Sequence, residues 1–271
     1  MPTIGFIGGG NMAASLIGGL INADIPATDI TVAEPDEKRR QALAEQFGIN
    51  TTADNNATLN SEIIVLAVKP QLLKTVCQQL DTGSRDRHLF ISIAAGINST
   101  DINRWLNENQ AIVRCMPNTP ALLRCGASGL YANEFVSDSQ KQQAEKIMQA
   151  VGIVIWVENE DQLNAVTAVS GSGPAYFFLM MEAMQQAGET LGLDAAVTRQ
   201  LVLQTALGAA RMATESDSSA SELRQMVTSK GGTTEQAILS FQSAGYNKIV
   251  LDALRAANDR SISLADELGS E

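Results

Sequence analysis

The chain is poor in the residues that most hydrolytic and metal chemistry needs. Among its 271 residues there is one histidine, His88, and there are three cysteines, Cys77, Cys115 and Cys125. His88 stands between Arg87 and Leu89, before an apolar run and away from every strand C-terminus. That placement excludes a Ser-His-Asp triad and disfavours dehydrogenases built on a histidine general base. With so little histidine and no metal-ligand spacing among the cysteines, a zinc site is excluded too. The odd cysteine count leaves reduced, buried thiols as the expectation. Basic residues are also scarce. Lys and Arg number 19 against 30 Asp and Glu, a formal charge of −11, so neither nucleic acid nor an anionic membrane is an expected partner. An anionic substrate has to be held by local donors, because the overall field repels it. Long hydrophobic runs are missing as well: Ala175–Met181 stops at Glu182, far short of the ~20 residues a membrane span requires. Met1-Pro2-Thr3 leads straight into the first apolar run, so no signal peptide and a cytoplasmic location are expected.

What is present begins with alternation. Apolar runs without polar alternation predict strands at Ile4–Ile7, Asp29–Ala33, Ile63–Val68, Leu89–Ile93, Ala111–Cys115, Gly129–Tyr131 and Ile153–Val157. Helical patterns lie between them, among them Asp36–Gln46, Gln71–Leu80 and Ser139–Ala150. Strands buried on both faces and joined by helices imply an α/β fold, a doubly wound Rossmann sheet. The character changes at the polar stretch Glu158-Asn159-Glu160-Asp161. Beyond it the patterns are all helical: Gln162–Val169, Ala175–Leu191, Asp194–Glu215, Glu222–Val227, Thr234–Ser243 and Lys248–Leu268. Two domains are therefore expected, a dinucleotide-binding sheet over 1–158 and an all-helical C-terminal domain over 159–271. The helix Ala175–Leu191 has almost no polar face and must be buried all round. A partner subunit is the expected cover; a central position in a monomeric bundle is the alternative.

The chemistry starts at residue 8. Gly8-Gly9-Gly10-Asn11-Met12-Ala13 follows the first strand and opens a helix, which is G-x-G-x-x-A in the context a dinucleotide fingerprint requires. Gly8 makes the turn, Gly10 lets a pyrophosphate approach the backbone, and Ala13 lets the helix pack on the sheet. Glu34 ends the second strand, where a carboxylate can accept from the adenosine ribose 2′-OH and so favour NAD. Arg39 and Arg40 nearby could instead compensate the 2′-phosphate of NADP, and a solvated Glu34 beside Pro35 is the plainer alternative. Three more loops end successive strands: Ala67-Val68-Lys69-Pro70, Ala94-Ala95-Gly96 and Met116-Pro117-Asn118-Thr119-Pro120. Ligands of such sheets bind beyond the strand C-termini. Lys69 can serve as an acid or on the cofactor side, and Asn118 can offer a polar contact.

In the helical half, Val169-Ser170-Gly171-Ser172-Gly173-Pro174-Ala175-Tyr176 interrupts a helix that Pro174 restarts, either as a site or as a kink. Ser229-Lys230-Gly231-Gly232-Thr233-Thr234 precedes another helix. Thr233 with Gln236 has the spacing of a capping box. Free amides there suit a carboxylate, and the Thr234 hydroxyl can turn to a substrate heteroatom. An ordinary helix cap is the alternative.

These stretches, in this order along nearly the whole chain, resemble the Δ1-pyrroline-5-carboxylate reductases; VSGSGPAY and MPNTP are the specific matches. The resemblance implies an N-terminal Rossmann domain and a C-terminal helical dimerisation domain, assembled as a homodimer and often as a decamer of five dimers. It implies that the cofactor, NADPH or also NADH, meets Phe6, Ile7, Gly8, Gly9, Gly10 and Asn11, Asn55, Ala67, Val68, Lys69 and Pro70, and Ala94, Ala95 and Gly96; the fingerprint adds Met12 and the second strand's end adds Glu34 to the expected cofactor contacts. It places the substrate carboxylate at Ser229, Gly231 and Gly232, with Thr234 as the catalytic side chain on the ring nitrogen; from their own loops, Thr233 and Asn118 are further expected substrate contacts. Two departures stand out: Lys230 where the family commonly has Pro, and Ser219-Ala220 where it commonly has His-Pro. The expected reaction is reduction of the cyclic imine to L-proline. A 3-hydroxyacid-type dehydrogenase is an alternative that lacks its lysine in Val166–Tyr176; a non-catalytic dinucleotide sensor is another.

Overall fold

The computed structural model describes residues 2–83 and 88–269. Arg87 beside His88, and positions 1, 270 and 271 of the two expected domains, lie outside the described residues. Eight strands are present: β1 (Ile4–Ile7), β2 (Ile30–Ala33), β3 (Asn50–Thr52), β4 (Ile63–Leu66), β5 (Leu89–Ser92), β6 (Ala111–Met116), β7 (Gly126–Ala132) and β8 (Gly152–Trp156). They form one sheet in the order β3-β2-β1-β4-β5-β6-β7-β8. Every pair is parallel except β6 with β7. The strand order reverses between β1 and β4, so the Rossmann switch point lies there.

Six helices accompany the sheet: α1 (Asn11–Asn22), α2 (Glu37–Phe47), α3 (Pro70–Gln78), α4 (Ser99–Trp105), α5 (Asp138–Gln149) and α6 (Gln162–Val166). Alternate residues of each strand serve opposite faces. Phe6, Val32, Ile63 and Val65 join one core with Leu16, Ile17 and Leu20 of α1. Ile7, Ile64, Leu66 and Phe90 join the other with Leu73 of α3. β1 and β4 are buried at every position, as both-face burial demands of their apolar sequences. Each large side chain removed from water contributes about 1.5–3 kcal/mol before entropy.

Two elements are absent from the sequence expectation. β3 is Asn-Thr-Thr and α4 is Ser-Thr-Asp-Ile-Asn-Arg-Trp; both are short and polar, so neither shows an apolar period. The expectation of three buried thiols also needs correction. Cys77 and Cys115 are buried, but Cys125 is exposed in the turn before β7. Burial pushes the thiols of Cys77 and Cys115 up to about 12.

Five further helices follow: α7 (Gly173–Thr190), α8 (Ala195–Glu215), α9 (Ala220–Met226), α10 (Thr233–Ser243) and α11 (Tyr246–Gly269). No strand occurs among the described residues after β8. Asp194 caps α8 by accepting from the amides of Ala196 and Val197. The chain divides into two compact units, Met1–Ser172 with Ala256–Glu271, and Gly173–Arg255. The second half of α11 thus belongs to the first unit. There Leu264 lies 3.3 Å from where a Cβ on Gly96 would be, and Arg104 Nη2 donates to the carbonyl of Gly269 at 3.2 Å. Within Gly173–Arg255 only Gly173, Thr198 and Val202 are buried. Phe177, Phe178 and Leu179 of α7 are 69%, 63% and 66% exposed.

Candidate functional site

The first unit builds a cradle at the switch point. Gly8 has φ +98°, and a Cβ on it would come within 2.6 Å of the Ala67 carbonyl oxygen. Only glycine fits where the β1 turn passes the end of β4. Gly10 is the N-cap of α1, in extended conformation and with no side-chain cap. A Cβ there would meet nothing within 4 Å. The first turn of α1 carries no acidic residue, so the amides of Asn11, Met12 and Ala13 and the positive helix end face open space. That arrangement suits the pyrophosphate of a dinucleotide.

Glu34 borders this cradle and is 7% exposed, so it is not the solvated carboxylate that its sequence neighbourhood allows. Its Oε2 accepts from the Gly9 amide at 2.9 Å and its Oε1 from the Asp36 amide at 3.1 Å. Arg40 is committed elsewhere: its Nη1 donates to the carbonyls of Glu34 and Pro35 at 2.7 and 2.8 Å. Arg39 Nη1 stays 3.8 Å from Glu34 Oε2, with its side chain half exposed. A fixed carboxylate next to the glycine turn is an acceptor for a ribose hydroxyl and repels a phosphate at the same spot.

The neighbouring loops stand at the strand C-termini. Ala67 and Val68 are half-buried, and exposed Lys69 is the N-cap of α3, with Pro70 in its first turn. Asn55 starts a short 3-10 turn and its carbonyl accepts from Thr58 Oγ1 at 2.7 Å. Ala94 is buried, and Gly96 takes φ +70°. Asn118 is buried and serves two structural bonds: its Oδ1 accepts from the Ala127 amide at 2.9 Å, and its Nδ2 donates to the Ser170 carbonyl at 3.0 Å. One amide hydrogen and one lone pair remain for a ligand. Ser170 lies in the interruption seen in the sequence, which is a π-turn over Thr167–Gly171 closed by the Ser172 amide on the Thr167 carbonyl at 2.8 Å.

The second unit holds the Gly-Gly turn. Gly231 has φ +73°, which favours glycine, and a Cβ on Gly232 would crowd Ser229, lying 2.5 Å from its Oγ and 3.0 Å from its carbonyl oxygen. Ser229 is exposed, and its carbonyl accepts from the Gly232 amide at 3.0 Å. The expected capping box at Thr233 is not formed. Gly232 is the N-cap of α10, without a side-chain cap, and Thr233 is already helical. The residue that reaches back is Glu235, not Gln236: its Oε2 accepts from the Gly231 amide at 2.7 Å. This turn therefore holds a carboxylate, one supplied by the chain itself. Thr234 is half-buried, and its hydroxyl makes no hydrogen bond among the described residues. The departure at Ser219-Ala220 also has a local reason. Ser219 caps α9 in a reciprocal box with Glu222, and those bonds hold the Glu222 carboxyl below its usual range.

A doubly wound sheet with a bare helix N-terminus at its switch point, followed by apolar helices, defines a dinucleotide-dependent oxidoreductase with an attached helical domain. Residues 3–96 match the family described as NADP oxidoreductase coenzyme F420-dependent. Residues 160–264 match the family described as pyrroline-5-carboxylate reductase dimerisation. The chain is 52% identical to a pyrroline-5-carboxylate reductase of Pseudomonas aeruginosa over 99% of its own length and 98% of that protein's. A solved pyrroline-5-carboxylate reductase of Coxiella burnetii superposes with a TM-score of 0.94 at 48% identity, covering 97% of this chain and 98% of that one. A Plasmodium falciparum pyrroline carboxylate reductase with NADP bound superposes with a TM-score of 0.85 at 29% identity, over 97% and 98% of the two chains. The chain belongs to the pyrroline-5-carboxylate reductase family.

Proposed function

We propose that the chain reduces 1-pyrroline-5-carboxylate to L-proline with NADPH or NADH. The observation that carries this reading is the carboxylate seated on the Gly231 amide, one residue before a tight glycine and three before an unengaged Thr234 hydroxyl. A turn that receives a side-chain carboxylate can receive that of a small imino acid.

When bound, the reduced nicotinamide supplies the hydride that saturates the C=N carbon. The chain's own residues bind and orient. Gly8, Gly9, Gly10, Asn11 and Met12 hold the pyrophosphate, with Phe6 and Ile7 beneath it and Glu34 and Asn55 toward the adenosine. Ala67–Pro70 and Ala94–Gly96 line the path of the cofactor. Ser229, Gly231, Gly232 and Thr233 anchor the substrate carboxylate, and Asn118 supplies a further polar contact. Thr234 Oγ1 accepts a hydrogen bond from the protonated ring nitrogen. No strong protein acid is required, since the iminium arrives protonated from solvent; the rate comes from positioning. The domains divide as 1–158 for the cofactor and 159–271 for substrate and assembly. The molecule works as a cytoplasmic homodimer, and five dimers form a decamer. The test is oxidation of NADPH and of NADH, followed by absorbance, with the pyrroline substrate. Dinucleotide binding without imine turnover would refute the enzyme and leave a sensor.

A further inference from the structure

We propose that Glu160 is a positioning residue for the cofactor loop Ala94–Gly96, acting through the first turn of α4 and through Arg114. The inference rests on the proposed cofactor role of that loop. The loop is held by packing more than by main-chain bonding: Ala94 is buried and Leu264 lies against Gly96. No backbone hydrogen bond among the described residues engages the amides of Ala95 or Gly96. Beyond that packing, the backbone of the loop is tied at its two ends, the close of β5 at Ser92 and the start of α4 at Ser99.

The α4 end is tied by one carboxylate. Glu160 Oε1 accepts from the Ser99 amide at 2.6 Å, and its Oε2 accepts from Ser99 Oγ at 2.7 Å. Arg114 Nη1 donates to Glu160 Oε1 at 3.0 Å and to Asn98 Oδ1 at 3.1 Å. Arg114 is only 8% exposed and projects from β6, the strand next to β5. A buried guanidinium needs a charged partner, and Glu160 meets that need from the segment after β8. Both of its oxygens accept from Ser99, the third residue after the loop, and Oε1 also accepts from the arginine that holds Asn98. The polar stretch between sheet and helices is thus a brace: it sets where the chain leaves Gly96.

The experiment compares the full-length protein with Glu160→Gln and Ser99→Ala. Glu160→Gln keeps the shape and removes the charge facing Arg114. Ser99→Ala removes one of the three bonds and leaves the ion pair, so it keeps a folded variant available. Amide hydrogen exchange over residues 94–98 is measured without cofactor, and NADPH and NADH binding is measured by calorimetry. Faster exchange at 94–98 and roughly 10-fold weaker dinucleotide binding are expected for Glu160→Gln, with a smaller effect of about 3-fold for Ser99→Ala. The imine KM at saturating cofactor should stay within about 2-fold. Unchanged exchange and unchanged dinucleotide affinity in both variants, even with a lowered melting temperature, would make Glu160 structural and overturn the proposal. If the unsubstituted chain binds no dinucleotide, the cofactor role fails separately, and exchange at 94–98 still decides whether Glu160 orders the loop.

Discussion

The two compact units spend similar apolar sequences in opposite ways. In the first, Phe6, Phe90 and the isoleucines and leucines of β1 and β4 are fully enclosed by their own chain. In the second, three neighbouring apolar side chains of α7 are each about two-thirds exposed, and no contiguous core forms. Exposed surface of this extent on a folded chain marks an interface, and the match of residues 160–264 to a dimerisation family says what covers it. One unit is finished by its own residues; the other is half of a shared object.

The largest effect should come from attacking that shared object. Phe178→Glu places a charge where a second copy has to pack, and sedimentation should show assembly lost at micromolar concentration. A stable, active dimer of that variant would end the comparison. Next, Gly10→Val should leave both units folded and assembled, because the new Cβ enters open space. It should weaken dinucleotide binding more than ~100-fold by filling the phosphate approach; unchanged affinity would remove the cradle from that turn. Thr234→Ala then probes the second unit alone. Losing a hydrogen bond to a charged group, about 1.5–3 kcal/mol, predicts a fall of roughly 10- to 150-fold in kcat/KM with cofactor affinity nearly constant. Full activity would leave orientation to the turn amides. The smallest effect is one of choice. Glu34→Ser should raise the NADPH:NADH efficiency ratio by roughly 10-fold, since it removes a fixed negative charge from beside the glycine turn, where the ribose is proposed to lie. A constant ratio would mean that Glu34 serves only the Gly9 amide.

Legibility in the sequence followed burial. β1, β4 and β5 could be read because strands covered on both faces leave apolar runs, and β6 because only a single arginine breaks its run. β3 and α4 could not, being three and seven residues long and mostly polar. The glycine turn was legible at Gly8, where only glycine satisfies the geometry; Gly10 is extended and open, and its signal was the spacing of the fingerprint. The α10 cap was misplaced by one residue, since Thr233 and Thr234 are equally plausible starts and the Glu235 contact depends on the turn before them. The Glu160 brace was invisible in its own segment, which looks like any polar linker. Its signal lay elsewhere: Arg114 interrupts an apolar strand, and a buried arginine implies an acid somewhere in the fold.

One consequence of the division into units concerns time. The chain leaves the first unit after Ser172 and returns to it at Ala256. During synthesis the sheet and its helices emerge long before the stretch that carries Leu264 and Gly269. Until that stretch arrives, Gly96 lacks its cover from Leu264, and Arg104 lacks the Gly269 carbonyl. The sheet can collapse early on local contacts, but the loop at Gly96 gains its cover only after the whole second unit has been made. The first unit is therefore completed last, after every residue of the second has been made.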